Sequence, residues 1–348
     1  MPIGYFFGAS CVRPIDNSVF LVGGRMYIPN SATIKDDSSS VYVFNSNISL
    51  WTNPYIIGFD YNFKMRNGIQ PVIDNDGKIY TFGGTNYTGF NKSHVDYNDM
   101  SIFDTNSMAW STLAITTNAP PPNFFYTATL ISTGIIVYIG GHIYRSGITY
   151  EPASMYEIQT FNTKNYNWST KNVSGASIGS REGHSAVLTQ NGDIIIYGGA
   201  LWNDTNTLAT PYIAKLDTNT WMWSIPNLSQ INSPQLCFHS AALYKDYMII
   251  AFGQIPSMSS MTYSPLLNNI YILDIKSYTW VTSFNPNQSA PNHLNKDLFI
   301  GIGIGASIVL LGVFSVVVGF LLYKRKKQNQ YQKFIPTPGT TDRINIMK

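Results

Sequence analysis

Short apolar stretches alternate with polar turns along most of the chain, and their order repeats. Four stretches end in two glycines: Val19 to Gly24, Ile79 to Gly84, Ile136 to Gly141 and Ile194 to Gly199. A fifth, Met248 to Gln254, reads as a copy that keeps Gly253 and has lost the second glycine. Gly23, Gly83, Gly140, Gly198 and Gly253 lie 60, 57, 58 and 55 residues apart. Twelve residues before each of them stand Cys11, Pro71, Ala128, Ala186 and Ala241, with the same interval in every copy. Turn signals such as Asp74 to Gly77 and Gln190 to Gly192 divide that interval, which predicts a β-hairpin. Downstream, Phe44, Phe103, Phe161, Leu216 and Leu273, each followed by Asn or Asp, stand seven residues before Trp51, Trp110, Trp168, Trp223 and Trp280.

Each unit therefore reads as four antiparallel strands: an inner strand a, strand b ending in the glycines, strand c ending in the Phe/Leu-Asn/Asp pair, and an outer strand d at the tryptophan. The fold class is all-β, and one such unit is one propeller blade. The glycines permit a tight turn and the approach of another backbone where a Cβ would clash. The tryptophan supplies apolar surface that a blade can bury only against its neighbour.

These residues resemble the kelch repeat, with its double glycine, spaced aromatic residues and a period of about 50 residues. The resemblance runs over residues 9–280 and implies a kelch-type β-propeller with five visible four-stranded blades, at about 9–52, 69–111, 126–169, 184–224 and 239–281. A WD-type propeller fits less well, because its period is about 40–45 residues and its defining dipeptide is missing. Kelch propellers commonly have six or seven blades closed by a shared blade, and no closure strand is visible. Two readings follow: a five-blade ring, or a six- or seven-blade ring whose remaining blades and signal peptide precede residue 1. The second accounts for both absences and is the expected one.

Composition adds a membrane element. From Leu298 to Tyr323 there are 26 residues without a charge, more than the roughly 20 that a helix needs to cross the hydrocarbon core. Lys324, Arg325, Lys326 and Lys327 close the segment and predict a cytosolic tail over 324–348, a stalk over 281–297, and a propeller outside the cell or in the lumen of the secretory pathway. Gly301, Gly303, Gly305 and Ala306 mimic a dinucleotide motif but lack its βαβ context. Gly301 and Gly305 also form a GxxxG pair, which either lets two such helices dimerise or reflects the glycine content common to membrane helices. Residues 1–297 hold 15 Lys/Arg against 18 Asp/Glu, so no nucleic-acid partner is expected. No signal peptide is visible at the N-terminus, which favours the alternative of a cytosol-facing, tail-anchored adaptor, whereas the basic cluster opposes it.

Recognition is expected on the face carrying the b–c and d–a connections, since long loops on a rigid scaffold carry function. Tyr27, Tyr87, Tyr144, Arg145, Trp202 and Tyr263 are the candidate binding residues, accompanied by Arg25, His94, Asp96 and Asp204. The expected partner is a protein or a carbohydrate, and no cofactor or metal is expected. Sequons at Asn47, Asn86, Asn91, Asn167, Asn172, Asn203, Asn227 and Asn287 all precede the apolar segment and agree with an exposed, glycosylated propeller.

The kelch resemblance reaches galactose oxidase, a propeller enzyme that needs two His and two Tyr around one copper and a Cys linked to one Tyr. His184 and His239 are the tempting pair, yet both stand two residues before the Ala186/Ala241 position, where a repeated residue reads as structural. Catalysis is not expected. Cys11 and Cys237 either form a single bridge or, since both fall on segments read as inner strands, are buried unpaired thiols, which is the expected reading.

Overall fold

The computed structural model describes residues 5–26, 41–58, 66–86, 94–114, 117–145, 149–201, 207–228, 233–256 and 266–282. All of them belong to the first of two compact units, Met1–Ala306; the second, Ser307–Lys348, lies outside the described residues. The same holds for the proposed membrane helix, its GxxxG pair and the basic tail. Among the described residues no helix is long and apolar enough to cross a membrane.

The fold is all-β, built from consecutive four-stranded antiparallel sheets in the order expected of a kelch propeller. Blade 1 comprises β1 (Tyr5–Val12), β2 (Val19–Met26), β3 (Val41–Asn45) and β4 (Leu50–Thr52). Blade 2 comprises β5 (Val72–Ile73), β6 (Lys78–Phe82), β7 (Met100–Asp104) and β8 (Ala109–Thr112). A short β9 (Asn123–Phe124) leads into blade 3, made of β10 (Thr127–Leu130), β11 (Ile135–Ile139), β14 (Glu157–Asn162) and β15 (Asn167–Asn172). Its b–c connection is itself a hairpin, β12 (His142–Arg145) and β13 (Thr149–Pro152). The linker strand β16 (Ser174–Gly175) precedes blade 4, with β17 (Ser185–Leu188), β18 (Ile194–Tyr197), β19 (Ile213–Asp217) and β20 (Met222–Ser224). Blade 5 comprises β21 (Ser240–Tyr244), β22 (Tyr247–Ala251), β23 (Ile270–Asp274) and β24 (Thr279–Val281).

The seven-residue spacing has a direct cause in strand register. Phe44, Phe103, Phe161, Leu216 and Leu273 pair across the c–d hairpin with Trp51, Trp110, Trp168, Trp223 and Trp280. Between each pair the Asn or Asp that ends strand c accepts a backbone N–H from the turn, as Asp104 Oδ1 does from Asn106 at 2.8 Å and Asp217 Oδ1 from Asn219 at 2.8 Å. Two residues before each tryptophan the chain is left-handed, at Ser49, Met108, Tyr166, Trp221 and Tyr278. Trp221 is thus a turn residue, and Trp223 is the strand d tryptophan.

Blades 2 to 5 send their tryptophans toward the blade before them. Trp168 lies edge-on to Phe82 of blade 2 with ring centroids 4.6 Å apart, and Trp223 donates its indole N–H to Met155 O of blade 3 at 2.7 Å. Four buried apolar clusters result, joining blades 1 and 2, 2 and 3, 3 and 4, and 4 and 5. This explains why the b strands, such as Ile194–Tyr197, are buried on both faces. Trp110, Trp168 and Trp223 are only 8%, 5% and 2% exposed, whereas Trp51 and Trp280 are half-buried.

The double glycines form the joints between blades. The N–H groups of Gly24, Gly84, Gly141 and Gly199 donate to Arg66 O, Asn123 O, Arg181 O and Leu236 O of the following blade, at 2.8–2.9 Å. The preceding glycine lets that carbonyl in: a Cβ at Gly23 would lie 2.7 Å from Arg66 O, and one at Gly83, Gly140 or Gly198 would come closer still to its own partner.

Blade 5 corrects the reading of the repeat. Gly253 abuts Cys237 O of its own hairpin, as Gly84 abuts Asn67 O and Gly199 abuts Glu182 O, and its φ of 88° matches the second glycines. Phe252, with φ 64°, stands where the other blades have the first glycine, and its N–H donates to Asn269 O as that of Gly198 does to Tyr212 O. Blade 5 has therefore lost the first glycine and kept the second. The constant twelve-residue interval hid this, because the a–b hairpin closes on Val12 and Val19 in blade 1, on Leu188 and Ile194 in blade 4, and on Tyr244 and Tyr247 in blade 5. Phe252 is 38% exposed, and no buried cluster joins blades 5 and 1 among the described residues.

Substituting Gly198 by Ala should therefore cost about 2–4 kcal/mol, from left-handed strain plus displacement of a backbone carbonyl. Replacing Phe252 by Gly should change stability by less than about 1 kcal/mol, since relieved strain offsets the lost contacts of a partly exposed ring. Urea unfolding of the two variants checks this, and equal losses would contradict the distinction between the two joints.

Candidate functional site

Strand b ends and the next inner strand begins on one face, the double-glycine face, and the described b–c segments there are not independent loops. The β12–β13 hairpin pairs with β9, so that blade 3 carries a small three-stranded sheet above its blade. Tyr144 pairs with Tyr150 across the hairpin, their ring centroids 5.5 Å apart, and the Tyr144 N–H donates to Pro122 O at 3.0 Å. Arg145 projects next to Tyr144 and pairs with Glu151, Nε to Oε2 2.8 Å, with both side chains more than half exposed. Such a pair adds little stability, on the order of 0–1 kcal/mol, and leaves both charges open to a partner.

His94 and Asp96, from the b–c segment of blade 2, fasten onto this hairpin. The Tyr150 hydroxyl donates to Asp96 Oδ2 at 2.9 Å and also bonds His94 Nε2, whose ring stacks on Tyr150. The hairpin base is anchored on the other side by His142, whose Nδ1 lies 2.8 Å from Glu182 Oε2 of blade 4 with both side chains buried. Three blades thus hold one projecting hairpin, which limits the entropy it would lose on binding.

Of the candidate binding residues, Tyr144 and Arg145 are described and adjacent. Tyr27, Tyr87, Trp202 and Tyr263, with Asp204 and the side chain of Arg25, lie outside the described residues. Sequence reasoning missed Tyr150, His142 and Glu182, and it missed a group nearer the propeller axis. There Phe7, Phe125 and Phe238, from blades 1, 3 and 5, touch one another with ring centroids 5.5, 6.5 and 5.2 Å apart. Phe125 and Phe238 stand just before their inner strands and Phe7 near the start of β1, all three in a left-handed conformation, where blades 2 and 4 carry Gly68 and Gly183. The visible signal was Phe against Gly at that one position.

The sequons divide in the same way. Asn47, Asn167, Asn172 and Asn227 are exposed, at a c–d turn, on the outer strand β15 and in the segment after β20. Asn86 is half-buried and its Oδ1 accepts the Val95 N–H at 2.7 Å, while Asn91, Asn203 and Asn287 lie outside the described residues.

His184 and His239 do not face each other across a metal site. His184 Nε2 is 3.0 Å from Thr127 Oγ1 and His239 Nε2 is 2.8 Å from Ser185 Oγ, each bond reaching the preceding blade's inner strand. Burial holds both imidazoles neutral: His239 is pushed down to about 4 and His184 falls well below its usual value, helped by the nearby Arg181 charge. Among the described residues no group of three or more His, Cys, Asp or Glu side chains is placed to hold a metal. Cys11 and Cys237 are buried and unpaired, and burial pushes both thiols up to about 12, which leaves them poor nucleophiles.

Comparison with known proteins agrees with the scaffold. The KLHDC2/KLHL20/DRC7 Kelch-repeats domain matches residues 8–207 and 147–315. The chain is 27% identical over 314 residues to putative protein tag-53 of Caenorhabditis elegans, covering 86% of this chain and 22% of that protein. It is 24% identical over 294 residues to acyl-CoA-binding domain-containing protein 4 of Arabidopsis thaliana, covering 80% and 38%. It is 25% identical over 213 residues to kelch domain-containing protein 3 of Rattus norvegicus, covering 59% and 53%. The chain spans no more than about half the length of these curated relatives.

The buried histidines set a pH dependence. In the unfolded chain an imidazole titrates near ~6.5 and takes up protons that the native state refuses. Stability is therefore full above about pH 6.5 and falls as the pH drops toward about 4, by ~3 kcal/mol from His239. Urea unfolding between pH 7.5 and 4.5 reads this, and a His239→Gln variant should show a shallower slope; an unchanged slope would refute the assignment.

Proposed function

The chain belongs to the KLHDC2/KLHL20/DRC7 Kelch-repeats domain family, and from that premise we propose that it is a non-catalytic protein-binding module working through its double-glycine face. The observation that carries the reading is the β12–β13 hairpin, held by blades 2 and 4 and presenting Tyr144 and Arg145. Tyr and Arg are the residue types that dominate binding energy when a partner covers them. The hairpin's anchoring fits a protein partner, which rewards a preformed, protruding edge.

We further propose that residues 298–323 anchor the module in a membrane, with the propeller outside the cell or luminal and Lys324 to Lys327 cytosolic. The uncharged stretch of 26 residues and the basic cluster after it support this topology, and the exposed Asn47, Asn167, Asn172 and Asn227 are consistent with glycosylation there.

Two measurements test these readings. In the full chain expressed in cells, Tyr144→Ala with Arg145→Ala should remove the proteins that cross-link to the native propeller, by about tenfold or more, while Asp76→Ala on the opposite, a–b turn side should not. Equal capture by all three would sink the face assignment. Enzymatic deglycosylation should increase gel mobility, and Asn→Gln at the four exposed sites should abolish most of that shift. A chain that never shifts would return the propeller to the cytosol as a tail-anchored adaptor.

A further inference from the structure

Blades 2 and 4 approach their inner strands through Gly68 and Gly183, at φ 68° and 57°. Blades 1, 3 and 5 place Phe7, Phe125 and Phe238 in the same conformation, at φ 57°, 58° and 52°. Register confirms the equivalence, since Phe6, Asn67, Phe124, Glu182 and Cys237, one residue earlier, each pair with the residue after the second glycine. Around the axis the Phe125 N–H donates to Gly68 O, the Gly183 N–H to Phe125 O and the Phe238 N–H to Gly183 O, at 2.8, 3.1 and 2.7 Å. The left-handed backbone is thus imposed by the junction, and glycine is its unstrained occupant. Phenylalanine three times over at this position sets steric cost against something the ring supplies.

The two glycines leave room for the rings: a Cβ at Gly68 or Gly183 would lie 3.1 or 2.9 Å from ring atoms of Phe125 or Phe238. The three phenyls meet at angles of 52°, 66° and 77°. At their centroid spacings they are in mutual contact, with no gap between opposed faces for a cation, so they do not form an aromatic cage. They are not a sealed plug either. Phe7 and Phe238 are both 37% exposed and Phe125 is half-buried. Beneath them, ring contacts run from Phe125 to the buried Phe124 and from Phe124 to Tyr150, with centroids 5.2 and 5.6 Å apart, which sets the three rings beside the anchored hairpin.

We infer that Phe7, Phe125 and Phe238 form a seat for one apolar side chain, aromatic or branched aliphatic, of the protein that binds the double-glycine face. The inference rests on the protein-binding reading of that face. Nearness to Tyr150 and Tyr144, through the buried Phe124, selects the occupant: a segment lying along the hairpin brings a side chain over the axis, where partly exposed rings gain most from being covered. A glycan would need hydrogen-bonding groups that three phenyl rings do not offer.

Peptides selected from a random-sequence library on the immobilised full chain provide the probe. They should share an aromatic or branched aliphatic residue, and its replacement by Ala should weaken binding at least about tenfold. Phe7→Gly with Phe238→Gly installs the residue that blades 2 and 4 use, and should weaken the same peptides about tenfold. A second measurement does not depend on those variants folding: a photoreactive benzophenone side chain replacing the peptide's apolar residue should cross-link to Phe7, Phe125 or Phe238. Cross-links elsewhere, undiminished binding to the double-glycine variant, or a library yielding no peptide would each overturn the seat. Peptides that lose affinity for Tyr144→Ala yet bind the Phe7→Gly, Phe238→Gly variant unchanged would leave the functional reading standing and remove this inference alone.

Discussion

A backbone carbonyl set against a glycine is the contact on which the other interactions depend. At four successive junctions the carbonyl that opens an inner strand accepts an N–H from the preceding blade's second glycine and rests where the first glycine has no Cβ. That approach sets how near two sheets stand, and so which side chains fill the space between them. With the sheets this close, strand b has no face toward water, and a residue such as Ile196 or Ile136 is fully buried. The tryptophans complete the same spacing at the outer edge, where a gap between diverging blades needs the largest side chain.

The scaffold was readable from sequence because its signals are local and periodic. A residue that must be glycine, an Asn or Asp that must cap a turn, and a tryptophan that must face its cross-strand partner recur at spacings a single chain displays. Blade 5 shows where counting fails. The interval to Gly253 equals the others only because a shorter hairpin cancels the missing glycine, and only the partner of each carbonyl separates the two cases. The candidate site was less readable for a different reason. Tyr144 could be picked as an aromatic in a b–c connection, but its environment comes from Tyr150, His94, Asp96, His142 and Glu182, drawn from three blades. No spacing rule connects those positions.

The blades also alternate. Blades 2 and 4 begin with Arg66 and Arg181, carry glycine at the axis, and receive the preceding linker as a parallel partner of their outer strand, Ile57 against Ala109 and β16 against β20. The two arginines are both buried but differently served. Arg66 pairs with Asp99 at 3.0 Å and lies over Tyr97, while Arg181 donates to Gly179 O and Gly198 O at 3.1 and 3.0 Å, and its burial lowers its pKa to about 10. Blades 1, 3 and 5 lack this arginine and carry phenylalanine at the axis. Adjacent blades are therefore complementary rather than equivalent, each glycine type accommodating the ring of the blade that follows.

Phe252 marks where that joint changes character. Where strand b ends in blades 1 to 4 a bare α-carbon admits the incoming carbonyl, whereas in blade 5 the same position carries a phenyl ring. Any sheet standing against blade 5 on that side must therefore hold its backbone farther off and meet a side chain where the others meet main chain, so that seam is set by different contacts from the four described junctions.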